Sequence, residues 1–341
     1  MKTWRRPGVL IALVACAVTL FLFLFWPLAD SVRGAVVDGN GHLTLAYLAA
    51  VFSNPIYRQG FANALGIAIG VTLIANAVGI GAAVVLDRYD FVGRRWLGAL
   101  VPLPLMVPPF VGAIGIRQLL GQQGAINALL IKVGVMSAAQ PVDWLRDGRL
   151  VAVVVLTALH LYPIVFLNVQ AALANVNVET EEAAASLGCH GWRLFRKVTL
   201  PAILPSVFAA TSIVLIAALT ELGVPLMCDF QRVTAVQIFF GLKDLGRNPL
   251  VFALVAVLLV MTVALYAATR LLIGRTRTKV NAKVARRRRP RRLSPVGQTA
   301  ALAVLGGAVG LAALPNVAVV LVALARDWYG TVLPAGLTLR M

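Results

Sequence analysis

The chain is 341 residues long, 60% hydrophobic and only 13% charged, against about 45–50% apolar and about 25% charged in ordinary soluble domains. That excess does not fit inside one globular core, and several charge-free stretches of about 20 residues are long enough to cross a bilayer as helices. A formal charge of +18 would suggest a nucleic-acid partner in a soluble protein. Here it reads as topology, because cytoplasmic loops collect Lys and Arg, and no nucleic-acid partner is expected.

Lys2, Arg5 and Arg6 precede an apolar run over residues 8–29. The run exceeds the about 7–15 residues of a signal-peptide core, and no A-x-A site follows closely, so it is expected to stay as a first helix. Further spans are expected at 61–86, 97–120, 150–173, 205–227, 250–273 and 296–325, seven in all. Backbone amides in lipid must be satisfied within their own segment, which makes the chain an all-α polytopic membrane protein. Pro102, Pro104, Pro108 and Pro109 interrupt the third span, which should be kinked or unwound there, with neighbouring helices satisfying the freed carbonyls. Pro163 is expected to bend the fourth.

Charge tests this threading. With the N-terminus inside, the cytoplasmic pieces hold about two-thirds of the 31 Lys and Arg and a minority of the 13 acids, as the bias toward positive inner loops requires. The stretch from Arg275 to Arg292 carries ten basic residues and no acid. It emerges after six spans, where parity also places it inside. A solvated linker over 274–295, touching anionic lipid headgroups, is the expected reading.

The two ends of the chain resemble each other. After the first span come Ala29-Asp30-Ser31-Val32-Arg33-Gly34 and then Leu43-Thr44-Leu45; after the seventh come Arg326-Asp327-Trp328-Tyr329-Gly330 and then Leu337-Thr338-Leu339. Both are an apolar span, an acid, a short turn and Leu-Thr-Leu. Residues 296–341 are therefore expected to begin a second copy of the unit, in which case the natural product is longer.

The most polar inner loop runs over 179–205. It reads Glu181-Glu182-Ala183-Ala184-Ala185-Ser186-Leu187-Gly188, nine residues, then Val198-Thr199-Leu200-Pro201. Acids in the first turn suit the positive end of a helix, alanines favour the helix, and Gly188 tolerates the left-handed turn that ends one. Pro201 and Pro205 should delimit the entry to the next span. A short helix with a flat alanine face allows close approach by another protein and can pass a push to both flanking spans. An amphipathic connecting loop would explain the same residues equally well.

This stretch resembles the EAA loop of binding-protein-dependent ABC importer permeases: Glu-Ala-Ala, three residues, Gly, nine residues, Ile-x-Leu-Pro. Glu182, Ala183, Ala184, Gly188, Leu200 and Pro201 match in register, with Val198 in place of Ile. Asn63 and the segment from Pro102 to Gly124 are similar to type I importer permeases. Thr220-Glu221-Leu222-Gly223-Val224-Pro225, with Arg232-Val233-Thr234 and Gln237-Ile238, is similar to the fused two-unit permeases of the ferric-iron uptake group.

The resemblance implies a type I permease bundle in the bacterial inner membrane. Residues 1–60 would give the first helix and outer loop, and 61–273 the permease core. Glu181, Glu182, Ala183, Ala184, Gly188, Val198, Leu200 and Pro201 would contact an ATPase subunit, itself a dimer. Further implied partners are an extracytoplasmic solute-binding protein and a second permease unit, since only one such loop is present. Ferric iron is the implied solute, with phosphonates, thiamine, polyamines and sugars left open. An ion-gradient-driven secondary transporter is the alternative; it would need intramembrane acids around a midplane site, and would leave the loop unexplained.

Glu221, at the far end of the fifth span, is a candidate for the solute path, because an intramembrane carboxylate is a functional hypothesis by default; headgroup-level placement is the plainer reading. A lone His160 is expected to bond a neighbouring helix. Gly66 and Gly70 are expected to allow close helix packing. Cys16, Cys189 and Cys228 fall in different compartments and offer neither a disulfide nor a metal site. No G-x-x-x-x-G-K-[ST] phosphate loop is present, so ATP hydrolysis and cofactor chemistry are expected elsewhere, and the chain is not expected to be an enzyme.

Overall fold

A computed structural model describes residues 7–147, 149–243, 248–273 and 290–338. The chain starts with α1 (Pro7–Leu20), a π turn (Phe21–Phe25) and α2 (Trp26–Val36), followed by α3 (Ala46–Ser53) and the long α4 (Pro55–Arg88). Strand β1 (Tyr89–Asp90), α5 (Arg94–Leu100), a 3-10 turn (Leu103–Met106), α6 (Pro109–Leu120), α7 (Ala125–Lys132) and α8 (Trp144–Asp147) lead to α9 (Arg149–Ala174). Then come α10 (Val178–Ser186), α11 (Gly191–Leu194), a second π turn (Phe195–Thr199), α12 (Leu200–Leu219), α13 (Gly223–Met227), α14 (Thr234–Lys243) and α15 (Pro249–Ile273). The last elements are β2 (Arg291–Arg292), α16 (Pro295–Leu324), β3 (Ala325–Asp327) and β4 (Gly336–Leu337).

Among the described residues six helices are long and apolar enough to cross a membrane, and seven segments are if one bent pair is counted as a single span. The breaks fall where proline chemistry puts them. Arg94–Met106 and Pro109–Lys132 meet at 101°, because Pro108 and Pro109 offer no N–H to continue a ladder. The freed carbonyls find partners on other helices, as the sequence required: Asn316 donates to the Leu103 carbonyl at 3.3 Å, and the Tyr162 hydroxyl to that of Val101 at 3.3 Å. His160 bonds the Pro104 carbonyl.

Other expectations are corrected. The first span continues to Val36, and the second starts at Pro55. The fifth span begins at Gly191 rather than 205, so Pro201 and Pro205 lie within helix instead of delimiting it. The cause is the second π turn, where the Leu200 N–H reaches back to the Phe195 carbonyl. Its wider ring makes room for Pro201 at the start of α12, which an α-helical approach would crowd. The basic stretch from Arg275 lies outside the described residues up to 289; its end, Arg291–Arg292, pairs in parallel with Tyr89–Asp90.

The chain forms two compact units. One comprises Met1–Ala62 with Arg232–Val263. Its core is Ala35, Val51, Phe61, Ala253 and Leu254, flanked by Tyr47, Tyr57 and Phe252. The Gln237 side chain donates to the Ile56 carbonyl at 3.0 Å. The first span buries none of its apolar window against protein, which a lipid-solvated helix tolerates because its backbone is satisfied internally.

The second unit comprises Asn63–Gln231 with Ala264–Met341. Here α9 packs on α4 and α12, burying Ala68, Val71, Val165, Phe166, Val169, Ile203 and Val214. The close crossing of α4 and α9 is at Gly79, where an added Cβ would meet Val165 Cβ at 2.7 Å and the Tyr162 carbonyl at 2.8 Å. Of the expected Gly66–Gly70 pair only one member fills that role: Gly66 faces open space, whereas a Cβ at Gly70 would meet Val154 Cγ1 at 3.1 Å, tighter than ordinary contact, so Gly70 also lets α4 approach α9 closely. Thr211 donates to Asn76 Oδ1 at 2.9 Å, tying α12 to α4. Helix α16 lies across α6.

Candidate functional site

The expected loop over 179–205 begins as a helix whose ends are both capped by their own residues. Asn177 Oδ1 accepts the Glu179 N–H at 2.9 Å, satisfying one of the orphan donors of the first turn. At the other end Gly188 adopts φ +82°. Its N–H bonds the Ala185 carbonyl at 2.9 Å, and the Cys189 N–H bonds that of Ala184 at 3.0 Å. This double closure is the Schellman arrangement, which needs a left-handed residue at the glycine position.

Glu181 is the single buried residue of α10, 3% exposed. Its carboxylate accepts from the Thr199 hydroxyl and from Arg88 Nη2 at 3.3 Å, while Arg88 also donates to Thr199 Oγ1 at 2.6 Å. The Arg88 guanidinium lies 5.6 Å from the Phe195 ring centroid, and Trp192 stacks on that ring at 5.2 Å. Buried charges persist only when paired and hydrogen-bonded, and this carboxylate is both.

The remaining expected residues divide. Glu182, Ala183 and Gly188 are exposed, Ala184 is half-buried, and Val198, Leu200 and Pro201 are half-buried at the start of the span. Beside the exposed face stand Leu187, 88% exposed, and Trp192, 72% exposed. Sequence reading quoted Leu187 and Thr199 within the loop but gave neither a role, and it did not name Trp192, Arg88, Phe195 or Asn177. Asn177 two residues before an acidic helix start was a readable cap signal. Arg88 was not readable, because its partner lies 93 residues away.

Glu221 sits between α12 and α13, where it accepts the N–H groups of Gly223 at 2.9 Å and Val224 at 3.2 Å. A cavity of ≈ 30 Å³ lies beside the broken span, lined by Pro104, Pro108, His160, Pro315 and Asn316 among others. Solute pockets run to about 300–1,000 Å³, so this space is far too small for one. Cys228, buried just past Met227, has its thiol pushed up to about 11, chiefly by desolvation and then by Asp229; it is a poor target for thiol reagents at neutral pH. Among the described residues no three His, Cys, Asp or Glu side chains are grouped to hold a metal.

The structure is thus a set of apolar helices with one proline-broken segment and a capped polar helix between two candidate spans. Residues 75–278 match the family described as "Binding-protein-dependent transport system inner membrane component". The chain belongs to that family, the permeases of ABC importers, and is a transport subunit rather than an enzyme. It is 27% identical over 269 residues to a Salmonella typhi protein named as the 2-aminoethylphosphonate transport system permease PhnU, covering 78% of this chain and 91% of that one. It is 29% identical over 202 residues to a Chlorokybus atmophyticus protein named as the sulfate transport system permease cysT, covering 59% of this chain and 65% of that one. The fold matches a chain in the crystal structure of a bacterial ABC transporter involved in import of the acidic polysaccharide alginate, with a TM-score of 0.66 at 17% identity, covering 81% and 99% of the two chains.

Proposed function

We propose that a cytosolic ATPase subunit grips this permease at α10 and its exposed neighbours, and that ATP-driven closure of the ATPase dimer moves the spans attached to it. The carrying observation is the division of α10 into two sides. Glu182, Ala183 and Leu187 face outward, whereas Glu181 is bonded to α4 and to the start of α12. Alternating access then follows as movement of helix groups about a central path. The sequence match of Glu182, Ala183, Ala184, Gly188, Leu200 and Pro201 to the EAA pattern supports the same reading. The face that carries α10, Arg88 and Arg291 is the cytoplasmic one, which puts the N-terminus inside; the Lys and Arg bias supports this. An extracytoplasmic binding protein delivers solute on the other side. The test is disulfide or bifunctional-maleimide crosslinking from Leu187→Cys to the co-expressed ATPase subunit. A specific adduct is expected, and its absence at every exposed α10 position would remove the assignment.

The solute is a small oxyanion. Ferric iron, which the resemblance of the Thr220–Pro225 segment suggested, has no support among the relatives, two of which are named for 2-aminoethylphosphonate and sulfate. Uptake assays in proteoliposomes containing the assembled importer, with radiolabelled 2-aminoethylphosphonate, sulfate and ferric iron, decide the point; uptake of iron alone would reverse it.

The last segment, from α16 onward, opens a second permease unit. The ends of the first and seventh spans close in the same way. After α2, Val37 bridges Leu43 antiparallel and the Thr44 N–H returns to the Val36 carbonyl at 2.8 Å. After α16, Ala325 pairs with Leu337 and the Thr338 N–H returns to the Leu324 carbonyl at 2.8 Å. Both closures use the first two residues of a Leu-Thr-Leu triplet. A reading frame without a second set of spans beyond this segment would refute the duplication.

A further inference from the structure

A nine-residue helix is too short to hold itself together in water, where isolated helices below about 12–15 residues are marginal. Helix α10 must therefore be fixed by its surroundings, yet its single buried side chain is a carboxylate rather than an apolar residue. What fixes it is a charge-assisted cluster assembled from three separate elements. Arg88 comes from the last position of α4, Glu181 from the first turn of α10, and Thr199 from the last position of the π turn that opens into α12. Arg88 touches both of the others, at 3.3 Å and 2.6 Å, and its side chain is only 14% exposed. Phe195, one helical turn before Thr199, covers the guanidinium.

We infer that Arg88 is a positioning residue for transport: it clasps Glu181 and Thr199 so that displacement of α10 is delivered to α4 and α12 together. The inference rests on α10 being the element that the ATPase grips. Covalent connection alone would not do this. Helix α10 joins α9 through residues 175–177 and α12 through residues 187–199, whereas α4 has no chain connection to it nearer than 90 residues in sequence. A guanidinium is suited to the position because its planar fork offers several donors in fixed directions and stays charged. The Thr199 hydroxyl completes the cluster by accepting from Arg88 while donating to Glu181. A displaced α10 thus pulls against two charge-assisted bonds, the stronger kind.

The test uses the full chain co-purified with its ATPase subunit, with Cys16, Cys189 and Cys228 replaced by serine. Single cysteines at the exposed α12 positions Ala202, Ala209 and Ile213 report maleimide labelling before and after vanadate trapping of nucleotide. In the parent, trapping is expected to change labelling at one or more of them by about tenfold. Arg88→Ala should trap the same amount of nucleotide and still crosslink through Leu187→Cys, yet lose most of that change. Arg88→Lys should recover part of it, and Thr199→Val, which preserves shape, should lose part of it. A merely structural role would alter trapping, crosslinking and labelling together. Parent-like labelling changes in both Arg88→Ala and Thr199→Val would overturn the clasp while leaving the ATPase contact standing. Should Arg88→Ala fail to insert, Thr199→Val decides alone. Failure of Leu187→Cys to crosslink in the parent would instead defeat the coupling assignment, and the clasp with it.

Discussion

Gly188→Pro is expected to abolish solute uptake while the chain still inserts into the membrane. The glycine sits at φ +82°, and proline is locked near φ of about −65°. The substitution also removes the N–H that closes onto the Ala185 carbonyl at 2.9 Å, so both helix end and turn direction are lost. Gly188→Ala is a sharp control. An added Cβ there meets nothing within 4 Å, so only the left-handed backbone is penalised, by about 1–2 kcal/mol, and substantial uptake should survive. Glu182→Lys should match the proline variant for a different reason, since it reverses the charge on the exposed face without touching the cap. Uptake measured alongside membrane fractionation separates these cases. Normal transport by Gly188→Pro would take α10 out of the transport cycle.

Gly115→Leu should produce the largest loss of structural stability. At this position a Cβ would stand 2.3 Å from the Pro315 carbonyl oxygen, 2.9 Å from Val319 Cγ2 and 3.0 Å from the Val319 N. Two of the three obstacles are backbone, which cannot rotate away, so α6 and α16 must separate. Overpacking of this kind costs about 1–3 kcal/mol and more where nothing yields. Gly306→Ala, Gly307→Ala and Gly310→Ala on α16 serve as controls, because each faces open space. Thermal unfolding in detergent should show a clear drop for Gly115→Leu and little change for the other three. An unchanged midpoint for Gly115→Leu would mean that α16 does not pack on α6 in the membrane.

The spans were legible because lipid imposes a simple demand: about 20 apolar residues with their amides satisfied internally. The break at Pro108–Pro109 and the helix end at Gly188 were legible for a related reason, since proline and glycine act on their own backbone. Contacts between distant elements left no such trace. Gly66 and Gly70 had the spacing for close packing, yet only Gly70 packs closely and the tightest crossing formed at Gly79, whose partner face on α9 no local pattern identifies. Pro201 and Pro205 looked like boundaries, because the compensating π turn depends on hydrogen-bond geometry that residue types do not encode. Only Glu182 matches the EAA pattern, but no local feature says whether it or Glu181 turns inward; the approach of Arg88 and Thr199 decides that. The solute left no local trace, and its class is argued from named relatives instead.

The wide turn at Phe195–Thr199 holds one more residue than an ordinary helical winding would. An α-helix closes its hydrogen-bonded ring over four residues, whereas here the Leu200 N–H reaches back five, to the Phe195 carbonyl, so the surplus residue is taken up within this one turn. Losing one residue from that loop of backbone would restore regular winding and shorten the separation of Phe195 and Thr199 from four residues to three, re-aiming one side chain relative to the other. The guanidinium could then no longer rest on the ring and reach the hydroxyl at once. The clasp therefore depends on how many residues this short stretch contains as much as on Phe195 and Thr199 themselves.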